Sequence, residues 1–357
     1  MVLGVRGRVL PEGAERVVLF DGDRVTFDAV PNVEFVHDGG WLLPGLVDVH
    51  THPGADYDIG VFDENLLRSH LLSHVHAGVA VVRTPGIVGG EVPSWVSEDH
   101  DLPRVIAGGP WLAPPGGFFA GLGREIVPEQ LAATAVEVVR RSGAWCKLVV
   151  DWATGEGIDR KYEPTIAFDV IADVVRAVHA VGGRVAVHTQ HPAGAEAAVL
   201  AGVDSLEHGM HLPQRMLATM AAQGTALVPT MTAFDQGLAH LQSVDPPTWM
   251  TRFMRTGAEA HPRLVAAAYE AGVTVLAGTD SIPYGNVARE VALLARSGLP
   301  GHVAVGAASW TARQYLGLDS ITEGAPADIV AYDTDPTIDP GALAHPRRIV
   351  LKGHVVV

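Results

Sequence analysis

The sequence predicts an α/β protein, a (β/α)8 TIM barrel with a small β-sandwich domain formed by both termini. Three observations carry this expectation. Strand-like and helix-like segments alternate eight times through the middle of the chain, which suits a closed parallel barrel better than an open sheet. That middle, residues 46–317, spans about 270 residues, near the roughly 250 usual for such a barrel. The two ends, 1–45 and 318–357, share another texture: short apolar-alternating runs such as VLGVRGRVL and RRIVLKGHVVV, broken by Gly, Pro and Asp.

In chain order the barrel strands are expected at 46–52, 79–84, 104–111, 145–152, 184–190, 204–209, 226–232 and 274–280. Helical patterns fall between them at 63–77, 128–142, 165–181, 193–201, 213–223, 257–271 and 286–316. The 128–142 pattern has Pro128 at its start and Gly143 at its end, the usual asymmetry of helix termini. Longer insertions follow strands at 53–62, 111–127, 152–164 and 233–256, which on a barrel gathers them at the rim that carries active sites.

Composition narrows the function. Forty acidic against 25 basic side chains give a net charge of −15, which argues against binding nucleic acid or an anionic membrane. Cys146 is the single cysteine, so no disulfide framework or cysteine zinc site is available. No apolar run approaches the roughly 18 residues of a membrane span, and the start lacks a signal-peptide pattern. A cytoplasmic protein acting on a small molecule is expected. The chain has 17 histidines and only three lysines, Lys147, Lys161 and Lys352.

His50-Thr51-His52 places two imidazoles on one side of a strand. His188, His208 and Asp280 end other expected barrel strands, and Lys147 lies within one. If those ends converge, six metal-competent or activating side chains share one cavity, and chance placement of all six is improbable. Neutral imidazole is the common nitrogen ligand of zinc and similar metals. Lys147 sits in the apolar strand Ala-Trp-Cys-Lys-Leu-Val-Val, where a free ammonium is costly. A chain that otherwise uses arginine keeps a lysine there, and lysine, unlike arginine, can lose its proton and become a nucleophile.

Leu-Pro-Gly-Leu-Val-Asp-Val-His-Thr-His (43–52), Ala-Gly-Val-Asp-Ser-Leu-Glu-His-Gly (201–209), Val-Pro-Thr (228–230) and Ala-Gly-Thr-Asp-Ser (277–281) resemble the metal-dependent amidohydrolase superfamily. Within it they resemble the imidazolonepropionase-like branch, which includes Xaa-Pro and Xaa-Arg dipeptidases. The resemblance implies two divalent metal ions, zinc or else iron, manganese or cobalt. His50 and His52 would bind the more buried ion, and His188 and His208 the more exposed one. Lys147 would carry a CO2-derived carbamate bridging both. Asp280 would bind the buried metal and shuttle a proton from a metal-bridging hydroxide to the leaving amine. His188-Thr-Gln-His191 lacks the carboxylate of the superfamily's deaminases, and Gly116-Gly117-Phe118 stands where relatives carry Gly-Gly-His.

The expected reaction is therefore hydrolysis of an amide-type C–N bond in a dipeptide, an N-acyl amino acid or a cyclic amide. A mononuclear cyclic-amide hydrolase, a lactonase or esterase on the same ligands, and a metal-free binding homologue stay open. Substrate candidates are Arg83, a donor for a carboxylate or else structural, with Phe118, His191, His211, Thr230 and Tyr284. His70, His74 and His76 are expected on the surface, Met210, Met216 and Met220 in the core. Glu207 could orient a neighbouring ligand, and Asp245-Pro-Pro-Thr-Trp suits a lid or a homo-oligomer contact.

Overall fold

The computed structural model describes residues 2–56, 60–156, 159–245 and 247–357. The terminal segments form β1 (Val2–Val9), β2 (Ala14–Asp21), β3 (Arg24–Thr26) and β4 (Val33–Pro44). The parallel barrel-type strands follow as β5 (Leu46–Asp48), β6 (Val79–Thr84), β7 (Arg104–Ala107), β8 (Trp111–Ala113), β9 (Trp145–Val149), β10 (Arg184–Thr189), β11 (Ser205–His208) and β12 (Ala226–Val228). Last come β13 (Ile329–Tyr332), β14 (Arg348–Leu351) and β15 (His354–Val355).

Both termini do share one sheet, but a single seven-stranded one rather than a described sandwich, in the order β15-β14-β13-β4-β1-β2-β3. β1 lies parallel to β4 and the other neighbours pair antiparallel. The sheet curls: Val25 N–H donates to Ala325 and Ala327 N–H to Asp23, which returns its β3 edge to the chain just before β13. Val5, Val18, Phe20, Leu42 and Ile329 fill the concave side.

The expected ring appears as two parallel sheets, β5-β6-β7 and a six-stranded one that contains β8-β9-β10-β11-β12. It is interrupted at two places. The third strand breaks at Gly108-Gly109-Pro110, where Gly109 takes φ 69° and Pro110 has no N–H for a ladder. The eighth segment, 274–280, makes only the bridge Leu227↔Val275 among the described residues. It still touches both neighbours, since Leu276 N–H donates to Leu227, Val49 N–H to Ala277 and Asp280 N–H to His50. A Cβ on Gly278 would stand 2.5 Å from the His50 Cβ, so glycine is what lets this segment approach His50.

The helices between strands include α1 (Glu64–His76), α2 (Pro128–Ser142), α3 (Phe168–His179), α4 (Pro192–Ala201) and α5 (Leu217–Gln223). The helix α2 shows how they dock: Leu131, Ala135, Val138 and Val139 repeat at helical spacing and are buried, and Gly143 ends it at φ 92°. β9 is buried along its whole length because helices and strands cover both faces. The 233–256 insertion is largely helical: α6 (Met231–Ser243) and α7 (Trp249–Glu270) occupy most of it. The Thr248 hydroxyl accepts from Thr251 N–H and starts α7 early. Of the Asp245-Pro-Pro-Thr-Trp segment, Pro246 lies outside the described residues, as do 57–59 and 157–158 of two other insertions. α8 (Val287–Arg296) packs beside α6 and α7.

Candidate metal centre and substrate cavity

His50 and His52 stand just past the end of β5, Lys147 in β9, His188 in β10 and His208 at the end of β11. With Asp280 from the eighth segment they line one cavity of about 710 Å³. His50 Nε2 lies 3.1 Å from His52 Nε2 and 3.8 Å from Asp280 Oδ1. His52 Nε2 is 3.4 Å from the same oxygen. The His188 and His208 rings are 4.5 Å apart. His50, His208 and Asp280 each offer a ligand atom within 4.8 Å of the others.

The electrostatics follow from burial. Desolvation, with the charge of Lys147 adding to it, pushes His50 down to about 4. Burial likewise holds His52, His188 and His208 well below the usual histidine range, so all four rings are neutral and present lone pairs. Burial also lowers the Lys147 ammonium and raises the Asp280 carboxyl. Lys147 Nζ is buried without a hydrogen-bond partner among the described residues. An orphan amine amid four neutral imidazoles and a carboxylate is a donor set that fits divalent metal, and it leaves the amine available for chemistry.

Three of the four rings are held from behind. His50 Nδ1 meets Glu207 Oε2 at 2.6 Å, His52 Nδ1 donates to the Gly86 carbonyl at 2.7 Å, and His208 Nδ1 meets Thr230 Oγ1 at 2.8 Å. Burial alone would raise the Glu207 carboxyl, but Arg83, Lys147 and His50 hold it well below the carboxylate range. Asp48, fully buried, takes Thr279 N–H and Oγ1–H and His50 N–H, tying the first strand to the eighth where no ladder does so. His208, Thr230 and Asp280 all adopt positive φ, at 67°, 48° and 43°. Each such residue costs on the order of 1–3 kcal/mol, strain that surrounding contacts must offset.

The substrate candidates divide. Phe118 and Tyr284 line the cavity, with Phe118 packed on Trp111 and Trp152 and the Tyr284 hydroxyl donating to the His52 carbonyl. Arg83 does not reach it: fully buried, it donates to Glu207 and to the Val49 carbonyl. Thr230 faces His208 rather than the cavity. His191 caps α4 and His211 meets the Phe253 carbonyl, both away from the lining. Several residues that sequence reading passed over do line it, Arg160 and Tyr162 among them. Arg160 forms no ion pair or hydrogen bond among the described residues, and the Tyr162 hydroxyl lies 2.8 Å from His188 Nε2. Tyr162 sits on an antiparallel pair, Asp151–Thr154 with Lys161–Pro164, and Arg160 immediately precedes its second strand; the alternation of that strand was hidden inside an insertion.

The three histidines of α1 also part company. Leu67, Leu71, His74 and Val75 form its buried face, so His74 is wholly buried against Thr51, His70 stacks on Tyr284 at 3.9 Å, and His76 is exposed. Burial lowers His74 to about 3 and His261, beneath the His208 carbonyl, to about 4. The unfolded chain then binds more protons than the folded one below pH 6.5. Stability is complete above that pH and falls as pH drops, by roughly 1.4 kcal/mol per unit for each such histidine. Urea midpoints of metal-free protein at pH 7 and pH 5 measure this, and equal midpoints would refute it.

The model of the Amidohydrolase family matches residues 41–356. An uncharacterized protein of Mycobacterium tuberculosis is 38% identical over 363 residues, covering 98% of this chain and 95% of the other. A crystal structure of Aspergillus niger ochratoxinase superposes with a TM-score of 0.82 at 20% identity, over 99% of this chain and 95% of that one. A crystal structure of a Xaa-Pro dipeptidase with bound methionine in its active site does so with a TM-score of 0.78 at 23% identity, over 99% of both. The structural matches show a shared TIM-barrel-type α/β fold.

Proposed function

The chain belongs to the amidohydrolase family and is a hydrolytic enzyme acting on C–N bonds, and from that premise we propose that it cleaves an amide in a small substrate at a two-metal centre. The carrying observation is the Lys147 amine, without a hydrogen-bond partner among the described residues, in a cavity lined by His50, His52, His188, His208 and Asp280. His50 and His52 would hold one ion and His188 and His208 the other, with zinc as the favoured metal. Lys147 Nζ would take up CO2, forming an N–C bond and releasing a proton to solvent, and the resulting carbamate would bridge both positions. A divalent ion bound there supplies Lewis acidity toward the scissile carbonyl and a water.

Asp280 would accept the proton of the attacking water and return it to the departing amine nitrogen. Phe118, Trp152 and Phe234 would take an apolar portion of the substrate, and Arg160 a carboxylate. An amide such as a dipeptide or N-acyl amino acid fits those groups, and the relatives named Xaa-Pro dipeptidase and ochratoxinase support an amide over an ester.

Metal analysis combined with matched amide, dipeptide, cyclic-amide and ester substrates tests the reading. Close to two metal equivalents per chain are expected, with faster turnover of linear amides than of cyclic ones. Asp280→Asn should lower kcat by about 10²–10⁴. Arg160→Gln should raise KM for a carboxylate-bearing substrate and leave its carboxamide analogue unchanged. A metal-free chain inactive on the whole panel would overturn the proposal.

A further inference from the structure

His208 is held by a chain of contacts that begins outside the cavity. Glu290 lies on α8 and is fully buried. Its Oε1 accepts Met231 N–H at 2.9 Å, and its Oε2 accepts Thr232 N–H at 2.7 Å and Thr232 Oγ1–H at 2.6 Å. These are the first residues of α6, whose N-terminal amides have no partner within the helix. The residue just before them is Thr230, β-branched and yet left-handed at φ 48°, ψ 44°. For such a residue that conformation is an outlier that persists only when its surroundings over-determine it.

The strain has a visible consequence. In this conformation Thr230 Oγ1 sits 2.8 Å from His208 Nδ1, leaving Nε2 as the other ring nitrogen. His208 is itself left-handed at φ 67°, and its carbonyl accepts from His261 Nε2 at 3.0 Å on α7. The Phe234 ring, one turn into α6, meets both the His208 and the His261 rings edge-on. An ordinary helix cap would come from the residue before the helix, through its own side chain. Here that residue points its hydroxyl at His208, and a carboxylate from α8 takes the amides in its place.

We propose that Glu290 is a positioning residue for His208: by taking the first amides of α6 it holds Thr230 left-handed, and Thr230 in turn fixes the His208 ring for metal. The inference rests on the metal reading above and concerns how one ligand of it is aimed. Partners behind a ligating histidine typically change metal affinity about 10–100-fold when lost.

The test is metal titration of metal-free protein by calorimetry with Zn2+, alongside melting temperature and kcat and KM of the loaded enzyme. Thr230→Val is expected to weaken the affinity of one of the two ions about 10–100-fold, and Thr230→Ser to restore most of it. Glu290→Gln, which turns an acceptor into a donor facing an amide, should reproduce the weakening. The Glu290→Gln/Thr230→Val double variant should be no weaker than Thr230→Val alone, because both act through one link. Thr232→Val, which removes one of the three bonds, is the milder variant should Glu290→Gln not fold, and it should shift affinity in the same direction. Asp63→Ala, which removes the cap of α1, is the control: melting temperature falls and zinc affinity stays.

A Glu290→Gln or Thr232→Val protein that melts earlier but keeps wild-type affinity for both ions overturns the inference and leaves the metal reading standing. Wild-type protein that binds no zinc overturns both.

Discussion

Lys147→Met is expected to separate function from stability. The Nζ it removes is buried and has no hydrogen-bond partner among the described residues, and an unmet polar group costs about 1–3 kcal/mol in a folded interior. The metal-free variant should therefore unfold at equal or higher urea concentration than the wild type. Activity should move the other way: kcat/KM falls by more than about 100-fold, beyond what an outer partner of a ligand contributes, and one or both metal equivalents are lost. In Lys147→Ala, where the side-chain space is empty, a short carboxylic acid such as propionate should restore part of the activity by offering two oxygens where the carbamate stood. A variant with wild-type activity and one metal per chain would instead favour the mononuclear cyclic-amide hydrolase.

The second large effect lies below the cavity. Arg83 donates to Glu207 at 2.5 Å with both side chains fully buried, and the guanidinium stacks 4.7 Å over the Trp145 ring. Glu207 in turn meets His50, so one carboxylate serves an ion pair and a ligand orienter at once. Arg83→Met leaves that carboxylate buried without its cation, and removal of one partner of such a pair costs about 3–5 kcal/mol. Urea unfolding should show that loss, with zinc affinity reduced as His50 loses its fixed orientation. Adding Glu207→Gln to Arg83→Met should recover much of the stability, because no charge is then left uncompensated, and little of the zinc affinity. Equal stability of wild type and Arg83→Met would contradict the argument.

Arg83 also shows what a sequence withholds. Its place in Val-Ala-Val-Val-Arg-Thr near a strand end fits a substrate contact as well as a structural ion pair. Only a strand of the other sheet decides between them, since β11 brings Glu207, 124 positions later, against it. His74 is similar: helical spacing put it beside His70, but which side of α1 meets the barrel is settled by where Thr51 and Tyr284 lie. Arg160 and Tyr162 escaped notice because the hairpin they belong to has strands of four residues that pair, among the described residues, only with each other.

What the sequence determined alone was the class of fold and the identity of the six candidate site residues. Alternating strand and helix periodicity is a local signal, and His50, His52, Lys147, His188, His208 and Asp280 are rare polar residues at the ends or in the middle of apolar strands. Tertiary structure decided how those residues are held and which others share the cavity. The Asp48 bonds that stand in for an eighth ladder and the curl of the terminal sheet are agreements between segments far apart in the chain. So is the clamp from Glu290 through Thr230 to His208. Hydrogen bonding and burial of this kind depend on which surfaces meet, and periodicity along one segment carries no record of its partner.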